Sequence, residues 1–193
     1  MAGFSATDAD GVALSPRAMI FLIRHAHAVA ASEDPLRPLS LRGADECARL
    51  VRFFRTNGAM TPLQFWHSPL VRSRDTADRL AAGLSPDAIR VEIPGLTPDD
   101  DPETVARRLD ALPPRALVAV VGHEPHLGRL TTLLVRGKSK PVWVDIAKST
   151  VLALERTSHV HSQTGMPRWR LRWMLAPELI RTPPEGEIRL PSL

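Results

Sequence analysis

The sequence is poor in the residue types that mark several protein classes. It has one cysteine, Cys47, no tyrosine, and only three lysines among its 25 basic residues. A lone cysteine excludes an intramolecular disulfide and any Cys-x-x-Cys metal or redox motif. No run approaches the roughly 20 apolar residues that span a bilayer, and acidic Asp8 and Asp10 make a poor signal peptide. We therefore expect a soluble, cytoplasmic protein without a membrane partner.

The length of 193 residues fits one globular domain. Residues 1–17 show no periodicity, which predicts a flexible arm. The patterned region over 18–177 predicts a single domain, and residues 178–193 are interpreted as a C-terminal tail. The net charge of +4 suits an acidic or phosphorylated partner.

Short apolar runs alternate with amphipathic segments along the chain. Strands are predicted over 18–23, 63–66, 89–93, 116–121, 150–154 and 168–175. Helices are predicted from Ser40 to Asn57-Gly58, from a cap at Ser68-Pro69 to near Gly83, from Asp101 to Pro113, and from about Pro125. The alternation favours an α/β three-layer sandwich, with a mostly parallel central sheet flanked by helices.

The last predicted strand alternates aromatic or aliphatic residues with arginines. Trp169 and Trp173 are expected on its core side, and Arg168, Arg170 and Arg172 on its solvated side. Nucleic-acid binding would place aromatic side chains among those arginines, so this face does not predict a nucleic-acid partner.

Basic and imidazole side chains follow the strands that are predicted to be buried. Arg24 and His25 end the first strand, His123 follows the strand over 116–121, and Arg72 comes one helical turn after Ser68-Pro69. Sites in open α/β sheets form at the carboxyl ends of strands, so these side chains are expected to converge. Guanidinium groups bind phosphate oxygens, and an unprotonated imidazole attacks phosphorus. The cluster predicts phosphoryl transfer without a metal or cofactor, and no phosphate-binding GxxxxGK[ST] loop is present.

Four segments in order resemble one known family. Phe21-Leu22-Ile23-Arg24-His25-Ala26 is similar to the Arg-His signature of the histidine phosphatase superfamily, and especially of its short SixA-like phosphohistidine phosphatase branch. The further similar segments are Arg37-Pro38-Leu39-Ser40 with Gly43, Ser68-Pro69 with Arg72 and Thr76, and Val121-Gly122-His123. The resemblance covers roughly residues 18–177 and implies a phosphoglycerate-mutase-like fold.

The resemblance also implies a role for each matching residue. His25 would be the nucleophile that becomes phosphorylated, Arg24 and Arg72 would bind the phosphoryl oxygens, and His123 would complete the pocket. Arg37 matches a loop arginine that contacts substrate. Three positions depart from the family pattern, namely Ala26 for a common glycine, Glu124 for a common asparagine, and Gly95 for a common acidic residue.

The missing acidic residue bears on the substrate. Asp99 and Asp100 lie close to Gly95 in sequence and are candidates for a replacement general acid. An alkoxide leaving group needs a proton donor, whereas imidazole, with a pKa of about 6.5, leaves easily once it is protonated. A weak general acid therefore favours phosphohistidine, carried by a protein such as a histidine phosphotransfer domain or a phosphocarrier. The alternatives are a phosphatase for small phosphorylated metabolites and a catalytically inactive phosphate-binding module.

Overall fold

The computed structural model describes residues 17–180. The predicted arm over 1–17 lies outside these residues except for Arg17, as does the predicted tail beyond Ile180. The strands are β1 (Met19–Arg24), β2 (Gln64–His67), β3 (Ile89–Glu92), β4 (Leu117–Gly122), β5 (Val151–Val160) and β6 (Pro167–Leu175). The helices are α1 (Leu41–Asn57), α2 (Val71–Leu84), α3 (Pro102–Asp110), α4 (His126–Arg136) and a 3-10 helix (Pro177–Leu179). Within residues 17–180, no helix combines the length and apolar character that crossing a bilayer requires.

The six strands form one sheet in the order β3-β2-β4-β1-β5-β6. The first four strands in this order pair in parallel, and β5 and β6 extend the sheet through antiparallel pairing. Helices α1 and α2 contact each other, and so do α3 and α4. The mostly parallel three-layer α/β sandwich predicted from the sequence is therefore confirmed.

The side chains of each central strand alternate between two separate cores. In β1, Ile20 and Leu22 join the cluster that contains α3 and α4. Phe21 and Ile23 join the cluster that contains α1 and α2. Successive strand residues point to opposite faces, so a continuous apolar run is what a sheet covered on both sides requires.

Local sequence signals fix both ends of α1 and the start of α3. The Ser40 side chain accepts a hydrogen bond from the Gly43 N–H, and Asp101 caps α3 through the Glu103 N–H, as the sequence predicts. Gly58 ends α1 with φ at 65°, the left-handed conformation that favours glycine.

The cap predicted at Ser68-Pro69 is wrong. Helix α2 begins at Val71 with Leu70 in the cap position and no side-chain cap. The hydroxyl group of Ser68 instead pairs with His123, at 2.6 Å from Nε2.

Strand β6 does not keep the predicted alternation. Leu171 pairs with Leu154 and Trp173 pairs with Ala153, so Arg172 is an extra residue that bulges out of the ladder. The bulge reverses the side-chain direction. Trp169 therefore packs in the core beside α3 and α4, whereas Trp173 packs on the opposite face against Phe21 and Phe54. The expectation that both tryptophans share one face is wrong.

Candidate active site

The site lies where neighbouring strands diverge to helices on opposite faces of the sheet. Strands β1 and β4 are parallel neighbours, with Arg24 opposite Gly122. Helix α1 follows β1 on one face, and α4 follows β4 on the other, which opens a crevice at the carboxyl ends of the strands. His25 and His123 therefore leave the sheet side by side, with ring centroids 4.9 Å apart.

The hydrogen bonds of His25 fix its tautomer. Its Nδ1 lies 2.7 Å from the carbonyl oxygen of Ala26, which only accepts, so Nδ1 carries the proton. The Nε2 atom is therefore a lone-pair acceptor, and it receives a hydrogen bond from Nε of Arg72 at 3.3 Å. Burial lowers the pKa of His25 to about 4 against the opposing effect of the Ala26 bond, and the charges of Arg72, Arg24 and Lys148 add to the lowering. His25 is thus a neutral imidazole at physiological pH.

The side chain of His123 is even less exposed than that of His25. Burial, followed by the proximity of His25 and Arg72, lowers its pKa to about 2. Ser68 Oγ accepts a hydrogen bond from the Leu70 N–H at 3.3 Å and lies 2.6 Å from Nε2 of His123. We assign the hydroxyl proton of Ser68 to the bond with Nε2, which leaves the ring proton on Nδ1. Within residues 17–180 this buried Nδ1 has no hydrogen-bond partner.

The two arginines of the cluster are held by different elements. Arg24 at the end of β1 donates from Nη1 to the Ile146 carbonyl oxygen at 2.7 Å, and its buried Nε has no partner within the described part of the chain. Arg72 lies in the first turn of α2. Thr76 ties that helix to the loop after β1, since its hydroxyl group donates to the Arg72 carbonyl at 2.7 Å and accepts from the Ala26 N–H at 3.0 Å.

Two further cations, Arg37 and Lys148, lie close enough to the cluster to act on its pKa values, and only Arg37 is predicted from the sequence. Arg37 has φ at 52°, an uncommon conformation for a residue with a side chain. Burial, followed by the charge of Arg37, lowers the pKa of Arg72. Lys148 was missed. Burial and the charges of Arg24 and Arg37 lower its pKa, and Lys148 in turn lowers that of His25. No sequence motif indicates Lys148, because it lies in the irregular segment between α4 and β5.

Within residues 17–180, neither Asp99 nor Asp100 makes a hydrogen bond to the histidines and arginines of this cluster. Asp100 Oδ2 accepts from the Thr97 N–H at 2.7 Å within its own loop, and Asp99 is exposed. Gly95 has φ at 90°, and an added Cβ would lie 2.8 Å from Cγ2 of Thr104. The backbone therefore favours glycine over the acidic residue that the family pattern places there. Among residues 17–180, no three His, Cys, Asp or Glu side chains form a group that could hold a metal ion.

Comparison with known proteins agrees with this arrangement, although no family model matches the chain. The chain is 30% identical over 135 residues to the phosphohistidine phosphatase SixA of Escherichia coli K12, covering 68% of this chain and 83% of that protein. Its fold matches a protein histidine phosphatase SixA complexed with tungstate, with a TM-score of 0.68, 24% identity, and coverage of 84% and 99% of the two chains. It also matches mycobacterial glucosyl-3-phosphoglycerate phosphatase, with a TM-score of 0.56, 17% identity, and coverage of 80% and 97%. The chain therefore belongs to the histidine phosphatase superfamily as a homologue of SixA.

Proposed function

We propose that this protein is a phosphohistidine phosphatase in which His25 forms a covalent intermediate. The observation that carries the proposal is the hydrogen bond of 2.7 Å from Nδ1 of His25 to the Ala26 carbonyl. It directs the Nε2 lone pair into a cluster of cations. A neutral imidazole that is held in one tautomer is the form that attacks phosphorus.

The reaction takes two displacements at phosphorus. In the first, Nε2 of His25 forms a bond to phosphorus as the bond from phosphorus to the leaving nitrogen breaks. In the second, water attacks the phosphoryl group, its proton passes to solvent or phosphate, and His25 is released. Arg24, Arg72 and Nδ1 of His123 donate to the phosphoryl oxygens, where negative charge is concentrated. Such a fixed donor is typically worth about 100- to 1,000-fold in rate.

The leaving group that suits this site is an imidazole. No carboxylate of the described chain hydrogen-bonds to His25, Arg72 or His123, and Asp100 is engaged in its own loop. Phosphohistidine needs no strong general acid, because its ring nitrogen is protonated readily near neutral pH. The relative SixA from Escherichia coli bears the name of a phosphohistidine phosphatase, which supports the same substrate.

Exposed apolar side chains near the site support a protein as the carrier of that group. Leu36 and Leu41 flank the Arg37 loop and are 69% and 92% exposed. Trp143 is 65% exposed, and the guanidinium of Arg136 lies 3.6 Å from its ring centroid. Trp143 also lines a groove of about 580 Å³ beside Glu124 and Pro125. Aromatic and arginine side chains in such places are typical anchors of protein interfaces, and the cations nearby suit a phosphorylated partner.

The proposal is tested by rapid-quench labelling with a protein that carries ³²P-phosphohistidine. The wild type is expected to acquire an acid-labile label and to release phosphate, and His25→Ala is expected to do neither. His67→Asn is the matched control. His67 ends the parallel strand β2, which β4 separates from β1. It is 6% exposed like His25, and it likewise bonds through Nδ1 to the carbonyl of the next residue. It is expected to leave the labelling intact.

The alternatives predict other outcomes of the same experiment. Label and turnover in His25→Ala would remove this histidine from the mechanism. Faster turnover of small phosphate monoesters than of phosphohistidine protein would indicate a metabolite phosphatase. Saturable binding of the phosphoprotein without turnover by the wild type would indicate a catalytically inactive phosphate-binding module.

A further inference from the structure

The side chain of Glu124, the residue after His123, is half-buried and its charge interacts with that of Arg24, yet its carboxylate binds backbone. Its Oε1 accepts a hydrogen bond from the Ile146 N–H at 3.1 Å, and its Oε2 accepts from the Gly128 N–H at 3.3 Å. Burial raises the pKa of Glu124, and these two bonds and the charge of Arg24 oppose the rise. The carboxylate that departs from the family pattern is therefore held by backbone donors, which limits its repulsion of a phosphoryl group.

Ile146 hydrogen-bonds to both Glu124 and Arg24. The Ile146 carbonyl accepts from Nη1 of Arg24 at 2.7 Å. Ile146 itself is fully buried, in an irregular segment between α4 and β5. A segment without a ladder of its own needs side-chain partners for its backbone, and Glu124 supplies one.

The carboxylate of Glu124 is closely packed on the side that faces Gly128. A Cβ added at Gly128 would lie 2.7 Å from the Val144 carbonyl oxygen and 3.0 Å from Oε2 of Glu124. The first turn of α4 and the segment over 142–146 therefore approach each other closely, with the carboxylate between them. A shift of the Glu124 side chain would be passed to the backbone of Ile146.

We infer that Glu124 is a positioning residue, which sets the guanidinium of Arg24 for phosphoryl binding through the backbone of Ile146. The inference deepens the proposed function and rests on it for the role of Arg24 in turnover. Oxyanion binding by the resting enzyme tests it separately. The Glu124 carboxylate binds the Ile146 N–H, and the Ile146 carbonyl binds the Arg24 guanidinium. Loss of the Glu124 carboxylate would therefore affect phosphate binding only through Arg24.

A double-mutant cycle tests this route, with Glu124→Gln, Arg24→Ala and the combined variant, by titrating each with tungstate in a calorimeter. The glutamine side chain that replaces Glu124 has one oxygen acceptor, and its NH₂ group would face a backbone N–H donor. We expect Glu124→Gln to weaken tungstate binding about tenfold, because a misplacement of about 1 Å in a site can cost on the order of 100-fold. In the Arg24→Ala background the same change is expected to cost less than about twofold.

The matched control is Asp145→Asn. Asp145 precedes Ile146 and raises the pKa of Glu124 through its charge. Its replacement removes one nearby negative charge without removing a bond to Ile146, and tungstate binding is expected to stay within about twofold of the wild type. An equal loss from Glu124→Gln with and without Arg24 would overturn the inference, as would unchanged binding in Glu124→Gln.

If a variant fails to fold, hydrogen–deuterium exchange of the wild type still tests the inference. The Ile146 amide is expected to exchange slowly with deuterium in the unliganded protein, and rapid exchange would contradict the inference. Failure of the proposed function is a different result. A wild type that binds tungstate through Glu124 and Arg24 but does not turn over phosphohistidine would leave the positioning role in place.

Discussion

The imidazole rings of His25 and His123 lie with their centroids 4.9 Å apart and their planes inclined by 52°. Both rings are buried beside arginines, and both have their pKa lowered far below 6.5. Two neutral rings can share this space, whereas two imidazolium ions would repel each other. The geometry thus favours a resting state in which one ring offers a lone pair and the other an N–H donor.

The protonation of His25 is the first prediction. Because burial and nearby cations lower its pKa to about 4, the imidazole of His25 is expected to remain neutral as the pH falls from about 8 to about 5 and to gain a proton only near pH 4. Imidazole ¹⁵N shifts of the unliganded wild type measure this directly, with Nδ1 protonated and Nε2 bare at neutral pH. Titration near the ordinary histidine pKa of about 6.5, or the opposite tautomer, would contradict the assignment.

Lys148 carries the second prediction. Its charge lowers the pKa of His25, so Lys148→Met is expected to raise that pKa above about 4. The same change is expected to weaken tungstate binding about tenfold and to reduce the dependence of binding on salt, since one cation is lost from the site. Lys138→Met provides the comparison, because Lys138 lies just beyond the end of α4 and does not act on His25. Equal effects of the two substitutions would show that only net charge matters.

The sequence predicts the strands and the convergence at their carboxyl ends, because apolar runs and helix caps each involve residues that are close together in the chain. The direction of Trp173 is not predictable in this way, since the bulge at Arg172 depends on pairing with Ala153 and Leu154. The contacts of Ser68 and Lys148 also depend on residues far away in sequence. Ser68 follows the Ser-Pro pattern of a helix cap, but its partner is His123, 55 positions along the chain.

The third prediction concerns stability at low pH. His126 is fully buried, and burial, followed by the charge of Arg129, lowers its pKa to about 4. The unfolded chain binds this proton near pH 6.5 and the folded chain only near pH 4, so stability is lost as pH falls through that window. Between about pH 7 and pH 4.5, this histidine is expected to lower the free energy of unfolding by about 2 to 3 kcal/mol.

Urea unfolding of His126→Leu at about pH 7 and about pH 4.5 measures that contribution. The variant is expected to lose less free energy of unfolding over this range than the wild type, by about 2 kcal/mol. His159→Leu is the control, because His159 is exposed near the end of β5. A pH dependence that is the same in His126→Leu and the wild type would refute the role of this buried histidine.

The last prediction distinguishes residues that bind a phosphohistidine protein from residues that act on the phosphoryl group. Leu41 begins α1 beside Arg42, whose charge acts on Lys148, and Trp143 lies next to the segment that holds Arg24. Neither side chain is buried, so replacing both by serine is expected to leave the fold and the phosphoryl cluster unchanged. The loss of two apolar anchors is expected to raise KM for a phosphohistidine protein about tenfold. Turnover of phosphoramidate, a small compound with the same P–N bond, is expected to stay within about twofold.

Ile89→Ser is the control for that experiment. Ile89 is 61% exposed, but it begins β3 and so lies at the amino edge of the parallel strands, away from the site. Its replacement is expected to change the turnover of neither substrate. If Leu41→Ser/Trp143→Ser impairs phosphoramidate turnover as much as protein turnover, these side chains support the pocket and do not dock a protein. If it impairs neither, the carrier protein docks elsewhere or the substrate is a small metabolite, because an exposed anchor affects affinity only for a partner that covers it.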